Sequence, residues 1–260
     1  MISDNIRALI AILMLAVPAF YLGRQFAASI MSPREFAAWR NAWVAATVAA
    51  FLSSSFFIFA GCMVIICLYV RAQRAMTAAF FLVILFVVPL PNVPIGGFGL
   101  FNALFVINNP RLLAIVVLLP ILFGTRRSSG RTGGMYLADW LIVGYAAVRI
   151  GLEIERSEFT QYLRFATVLM FDIVIPYFVF SRAITSIGDF RKVSLALVVA
   201  VLPLALIGVF ETAKGWLLYT WFTDNWADYR LISGYGSPRA GYLRATATTS
   251  SPIVLGFHSL

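Results

Sequence analysis

Charge and histidine are both scarce in this chain. Its 260 residues include one histidine, two cysteines and only 12% charged side chains. A soluble domain devotes roughly 25% of its residues to charge, so this shortage, set beside 61% hydrophobic residues, excludes one. The single histidine, His258, leaves no His/Cys/carboxylate cluster at metal-ligand spacing, so no metal and no cofactor is expected. Cys62 and Cys67 stand five apart in one apolar run and do not share a helix face, which argues against a disulfide framework. The N-terminus lacks a small-residue cleavage site, so the first apolar run reads as a retained span rather than a signal peptide. No internal repeat or low-complexity segment stands out.

What is present is a series of long apolar runs separated by arginines. A helix needs about 20 apolar residues to cross a bilayer core. The pattern predicts an all-α, polytopic transmembrane bundle forming a single membrane domain over 1–260. Seven spans are expected near 8–23, 44–70, 76–91, 112–124, 135–152, 165–181 and 193–212. An eighth run, Ala245–Leu260, stops in mid-span, so the chain reads as the N-terminal half of a longer protein or a truncated product.

The net charge of +9 belongs to the loops and implies a lipid bilayer as partner, not nucleic acid. Eighteen of the twenty basic residues are arginine, which suits phosphate-rich lipid head groups. The connections 71–74, 125–134 and 182–192 hold eight basic residues in about 25 positions, against ten in more than eighty for the alternate set. The dense set should face the cytoplasm. This places the N-terminus inside and 213–244 outside, although Arg24, Arg34 and Arg40 then fall on the sparse side.

Within 24–43, Ser32-Pro33-Arg34-Glu35 reads as a helix start, and Phe36, Trp39 and Trp43 share one face. A short helix lying in the outer membrane interface is expected. The stretch Pro89–Gly99 is apolar but holds three prolines and three glycines, which forbids a regular helix. It reads as either a re-entrant loop or an apolar loop lying on the surface. Asp139, Arg149 and Asp172 fall inside spans, and Glu211 closes the seventh. Asp139, four residues from a cytoplasmic edge, is expected to reach the head groups. Arg149 and Asp172 lie on antiparallel neighbours at depths that one arginine side chain can bridge, so an Arg149–Asp172 ion pair facing the bundle interior is expected, fixing packing or lining a cavity.

The outer segment 213–244 is the most polar part of the chain. Its three tryptophans and several tyrosines suggest an interfacial belt, and aromatic faces also stack on sugar rings. Arg230, Arg239 and Arg244 converge on the entrance to the last run, where planar guanidinium groups suit the pyrophosphate of a lipid carrier.

The stretch Gly241-Tyr-Leu-Arg244-Ala-Thr-Ala-Thr-Thr-Ser-Ser-Pro252-Ile-Val-Leu-Gly256 resembles the Arg-Ala…Pro-Ile-x-Leu-Gly stretch of bacterial O-antigen ligases and related exopolysaccharide polymerases. The run from Phe86 through Asn109-Pro-Arg to Pro120, Asp172…Pro176-Tyr177 and Glu211 also resemble that family. The resemblance implies a metal-independent glycosyltransferase of about a dozen helices in the bacterial inner membrane. Such an enzyme transfers glycan from an undecaprenyl-pyrophosphate donor on the periplasmic face, alongside other polysaccharide-assembly proteins. It implies that Arg230, Arg239 and Arg244 bind the pyrophosphate and that a histidine in a large loop, expected beyond Leu260, acts as general base. Ser251 stands where many relatives carry histidine. Without that loop the chain is expected to be inactive alone. Two readings compete. One is a transporter or flippase using the Pro/Gly break and the Arg149–Asp172 pair; the other is an inactive, truncated remnant.

Overall fold

The computed structural model describes residues 4–73, 77–89, 93–96, 103–128, 135–154, 159–222, 226 and 245–248. Among these residues the chain forms eight helices and one β-hairpin. They are α1 (Asp4–Ala27), α2 (Pro33–Leu52), α3 (Phe56–Ala72), α4 (Ala78–Leu85), β1 (Val93–Gly96), β2 (Ala103–Ile107), α5 (109–128), α6 (Leu137–Ile154), α7 (Phe159–Ala183) and α8 (Ile187–Lys214). Three of the helices, α1, α7 and α8, are long and apolar enough to cross a membrane; α3 and most of α5 are apolar but shorter. Seven complete spans are therefore not found among the described residues. The contacts divide the chain into two compact units, Met1–Pro91 with Ser186–Leu260, and Asn92–Thr185.

The expected span 44–70 is two helices. Ser53-Ser54-Ser55 breaks it, because the hydroxyls supply the hydrogen bonds that end one helix and start the next. The Ser53 hydroxyl donates to Ala49 O, and Ser55 Oγ accepts from Ile58 N. At the other end of α2, Ser32 caps as its sequence predicts, accepting from Glu35 N at 3.2 Å. The face of Phe36, Trp39 and Trp43 does not lie in the interface. All three are buried, and Phe20 of α1 meets Phe36 and Trp43 edge to face. Cross-helix packing outcompetes lipid for so large an aromatic face.

This extra helix hairpin changes which termini meet in the first unit. Lys192 of α8 reaches Glu35 of α2 at 3.2 Å, and Arg34 of α2 reaches Gln73 just beyond α3 at 3.3 Å. The ends at 24–36, 71–73 and 186–192 therefore lie together. At the opposite end the Arg7 guanidinium sits 6.0 Å from the centre of the Trp216 ring, and Trp226 donates to Ser53 O. The start of α1 and the segment after α8 share one end, not opposite ends as the loop count requires. Reading 24–43 as a connection and 44–70 as one span counted one long helix where there are two.

In the second unit, α6 and α7 pack as an antiparallel pair around Ala146, Leu169 and Val174. Part of the Pro/Gly stretch forms β1, which pairs antiparallel with β2 and has an irregularity at Ile95/Gly96. Two helices each contain one wide turn of π geometry, Ala114–Leu118 in α5 and Met170–Val174 in α7. Leu119 N bonds Ala114 O and Ile175 N bonds Met170 O, five residues back. Proline stands two residues past the end of each wide turn, at Pro120 and Pro176. A proline ring cannot donate and crowds the preceding turn, so the helix widens just before it.

Candidate functional site: a gripped segment and two held carboxylates

In the first unit the chemistry gathers at the end of α8. The helix stops at Gly215, whose φ of 63° is the left-handed conformation that glycine adopts without penalty. One turn earlier Glu211 is fully buried. Its Oε1 accepts from Leu218 N at 3.0 Å, and its Oε2 accepts from Thr246 N at 3.1 Å and Ala247 N at 2.9 Å. Bonds from amides to a carboxylate are stronger than those between neutral groups. One side chain thus holds both the segment leaving α8 and the turn 245–248. Ala247 has φ 45°, costly for a residue with a Cβ, so this turn is shaped to aim its amides at the carboxylate.

Near that node three aromatic residues of the segment after α8 fold inward. Tyr219, Phe222 and Trp226 are buried with Phe51, Phe56 and Phe59; the Phe222 and Trp226 rings lie 4.7 Å apart, nearly perpendicular. The Trp226 Nε1–H donates to Ser53 O at 3.1 Å, satisfying a carbonyl freed by the α2–α3 break. The expectation of a lipid-facing belt is corrected here for Trp226: a buried indole with a satisfied N–H is a core residue. Arg230, Arg239 and Arg244 lie outside the described residues, as does His258.

In the second unit the predicted intramembrane pair has a different arginine. Arg111 forks onto Asp172, Nε to Oδ1 at 2.9 Å and Nη2 to Oδ2 at 2.8 Å, while its Nη1 donates to Val106 O at 2.6 Å. The Arg149 guanidinium instead sits 5.4 Å from the centre of the Phe165 ring. Arg111 wins because Asn108 caps its helix, accepting from Arg111 N, and sets the side chain beside the wide turn that carries Asp172. The signal was in Asn108-Asn-Pro-Arg111, a helix start with Asn as cap and Pro in the first turn.

Asp139 does not reach the head groups either; it is buried. It accepts from Tyr136 N, the Tyr177 hydroxyl and Arg182 Nη2 at 3.0, 3.0 and 3.1 Å, and Arg182 also lies 4.4 Å from the centre of the Phe178 ring. A carboxylate with three donors inside the unit has no need of water. Among the described residues no group of three or more His, Cys, Asp or Glu is placed to hold a metal.

No family model, no curated protein and no solved structure matches this chain. The likeness to O-antigen ligases thus rests on the short motifs alone.

Proposed function

We propose that this chain is part of an integral-membrane glycosyltransferase that ligates or polymerises undecaprenyl-pyrophosphate-linked glycan at the outer face of the bacterial inner membrane. The observation that supports this reading most is the Glu211 grip. The turn it holds begins at Ala245, immediately after Arg244, and this is the stretch that resembles the family. A pyrophosphate leaving group needs fixed positive charge, and a loop anchored by a buried carboxylate supplies rigid attachment for it. Arg230, Arg239 and Arg244 bind the pyrophosphate in this reading, with no metal and no cofactor. The full enzyme works beside other polysaccharide-assembly proteins.

The arginine distribution supports an orientation in which the Glu211 end is periplasmic. Arg24, Arg34, Arg71, Arg191 and Lys192 belong to the opposite end of the first unit, and basic residues favour the cytoplasm. Arg24 and Arg34 then no longer conflict with the rule. The N-terminus, which shares an end with Trp216, is periplasmic too.

The test is retention of undecaprenyl-pyrophosphate-linked glycan by the chain in nanodiscs, compared with undecaprenyl monophosphate. Wild type should hold the pyrophosphate lipid at least tenfold tighter. Arg244→Ala and Glu211→Ala should each remove most of that preference. Equal binding of both lipids, or a preference untouched by the arginine substitutions, would overturn the reading.

A further inference from the structure

A cleft of about 310 Å³ opens at the elbow between α1 and α2, at the end of the first unit opposite Glu211. Ala27, Ala28, Met31 and Phe36 line it together with Arg24 and Arg40. Neither arginine forms an ion pair with any described residue. Arg40 donates only to the neighbouring Asn41 side chain among them, and Arg24 makes no side-chain hydrogen bond with them. The carboxylate on that stretch of α2, Glu35, is engaged by Lys192 through both of its oxygens at 3.2 and 3.3 Å. Asp189 of α8 accepts from the backbone and hydroxyl of Ser186. The cleft therefore carries two positive charges without a counter-ion among the described residues.

Its position narrows the anion. Arg24 lies three residues from the end of α1, a helix apolar enough to span, and so at the depth where an arginine reaches head groups. Arg40 lies seven residues along α2, about 10 Å from its start at 1.5 Å per residue. A guanidinium at such depth beside an apolar helix needs a counter-charge. The anion at that level of a bilayer is a lipid phosphate, whose two free oxygens match the planar donor fork. The apolar floor suits the glycerol and first methylenes.

We propose that this cleft is a binding site for one anionic phospholipid, with Arg24 and Arg40 on its phosphate and Ala27, Ala28, Met31 and Phe36 against its glycerol end. The site is independent of the glycosyltransferase reading. With no carboxylate among the described residues that line the cleft to receive a choline or ammonium group, it selects phosphatidylglycerol over phosphatidylcholine.

Native mass spectrometry of the full chain released from nanodiscs tests this, by counting lipids retained from phosphatidylglycerol or phosphatidylcholine. Wild type should retain one more phosphatidylglycerol than phosphatidylcholine. Arg24→Ala and Arg40→Ala should each weaken that retention about tenfold, and the double variant should abolish the difference. Arg7→Ala, at the other end, should not. Ala28→Trp, on an exposed turn, fills the cleft with both arginines intact and should also abolish it, which separates loss of the site from misfolding. Unchanged selectivity in the double variant or in Ala28→Trp would overturn the proposal. So would full displacement of the lipid by an equal concentration of soluble glycerol phosphate, which would mark a free-anion site.

Discussion

The two units of this chain hold Glu211 on the one side, and Asp139 and Asp172 on the other, by different means. In the first, Glu211 is satisfied by backbone amides alone, drawn from two segments well separated in sequence. In the second, Asp172 and Asp139 are each matched to an arginine, Arg111 and Arg182. Backbone donors fix where a chain segment runs, whereas arginine partners fix how helices pack. Losing the carboxylate therefore frees a loop in one unit and strands a cation in the other. The first arrangement suits an end that must present a shaped segment, the second a helix pair that must stay closed.

Removing each carboxylate in turn is the sharpest way to break that comparison. Asp172→Ala leaves Arg111 charged and nearly buried, and stranding one member of such a pair costs 3–5 kcal/mol when burial is complete. With Asp172 about one-third exposed, the lower end, about 3 kcal/mol, is expected, read as a fall in thermal midpoint in micelles. Joint replacement with Arg111→Met and Asp172→Leu should recover most of it, since apolar pairs of similar volume often replace buried ion pairs without loss. If the single and joint variants melt alike, the pair does not lock the packing.

Glu211→Ala should cost about 2 kcal/mol, because the orphaned amides lose their acceptor but gain some access to water. Its signature is local: hydrogen exchange should quicken at Leu218, Thr246 and Ala247 and stay unchanged along α6. Quickening spread over the whole first unit would show that Glu211 holds the core rather than the segment. Trp226→Phe keeps the aromatic packing and removes one hydrogen bond, so about 1 kcal/mol is expected in the same melting assay. Smallest is Ser186→Ala, which removes the hydroxyl half of a capping box at the start of α8 and should cost about 0.5–1 kcal/mol.

The features readable from sequence are those that local chemistry decides. Ser32-Pro33-x-Glu35 announced a helix start, and the apolar lengths of α1, α7 and α8 announced spans. Asp172 was recognisable as a charge in need of a partner, but the partner was not, because three-dimensional neighbours are not encoded in span counting. Arg111 looked like a loop residue while it sat beyond the drawn edge of a span. Ser53-Ser54-Ser55 was missed for a similar reason: serines dilute hydropathy only slightly over a long window, yet their hydroxyls decide where helix hydrogen bonds end. That single omission also set the start of α1 and the segment after α8 at opposite ends, where the contacts put them together.

The wide turns have a consequence for anything that counts along these helices. Each holds about one residue more than an ordinary turn, so a wheel drawn through all 25 residues of α7 is about 100° out of phase beyond Val174. Tyr177 and Arg182, which both meet Asp139, lie beyond that offset. Deleting one residue from 170–174 would leave the helix and its hydropathy almost unchanged while turning both side chains away from their carboxylate. The turn acts as a phase shifter, and the chemistry of α7 depends on residue number as much as on residue type.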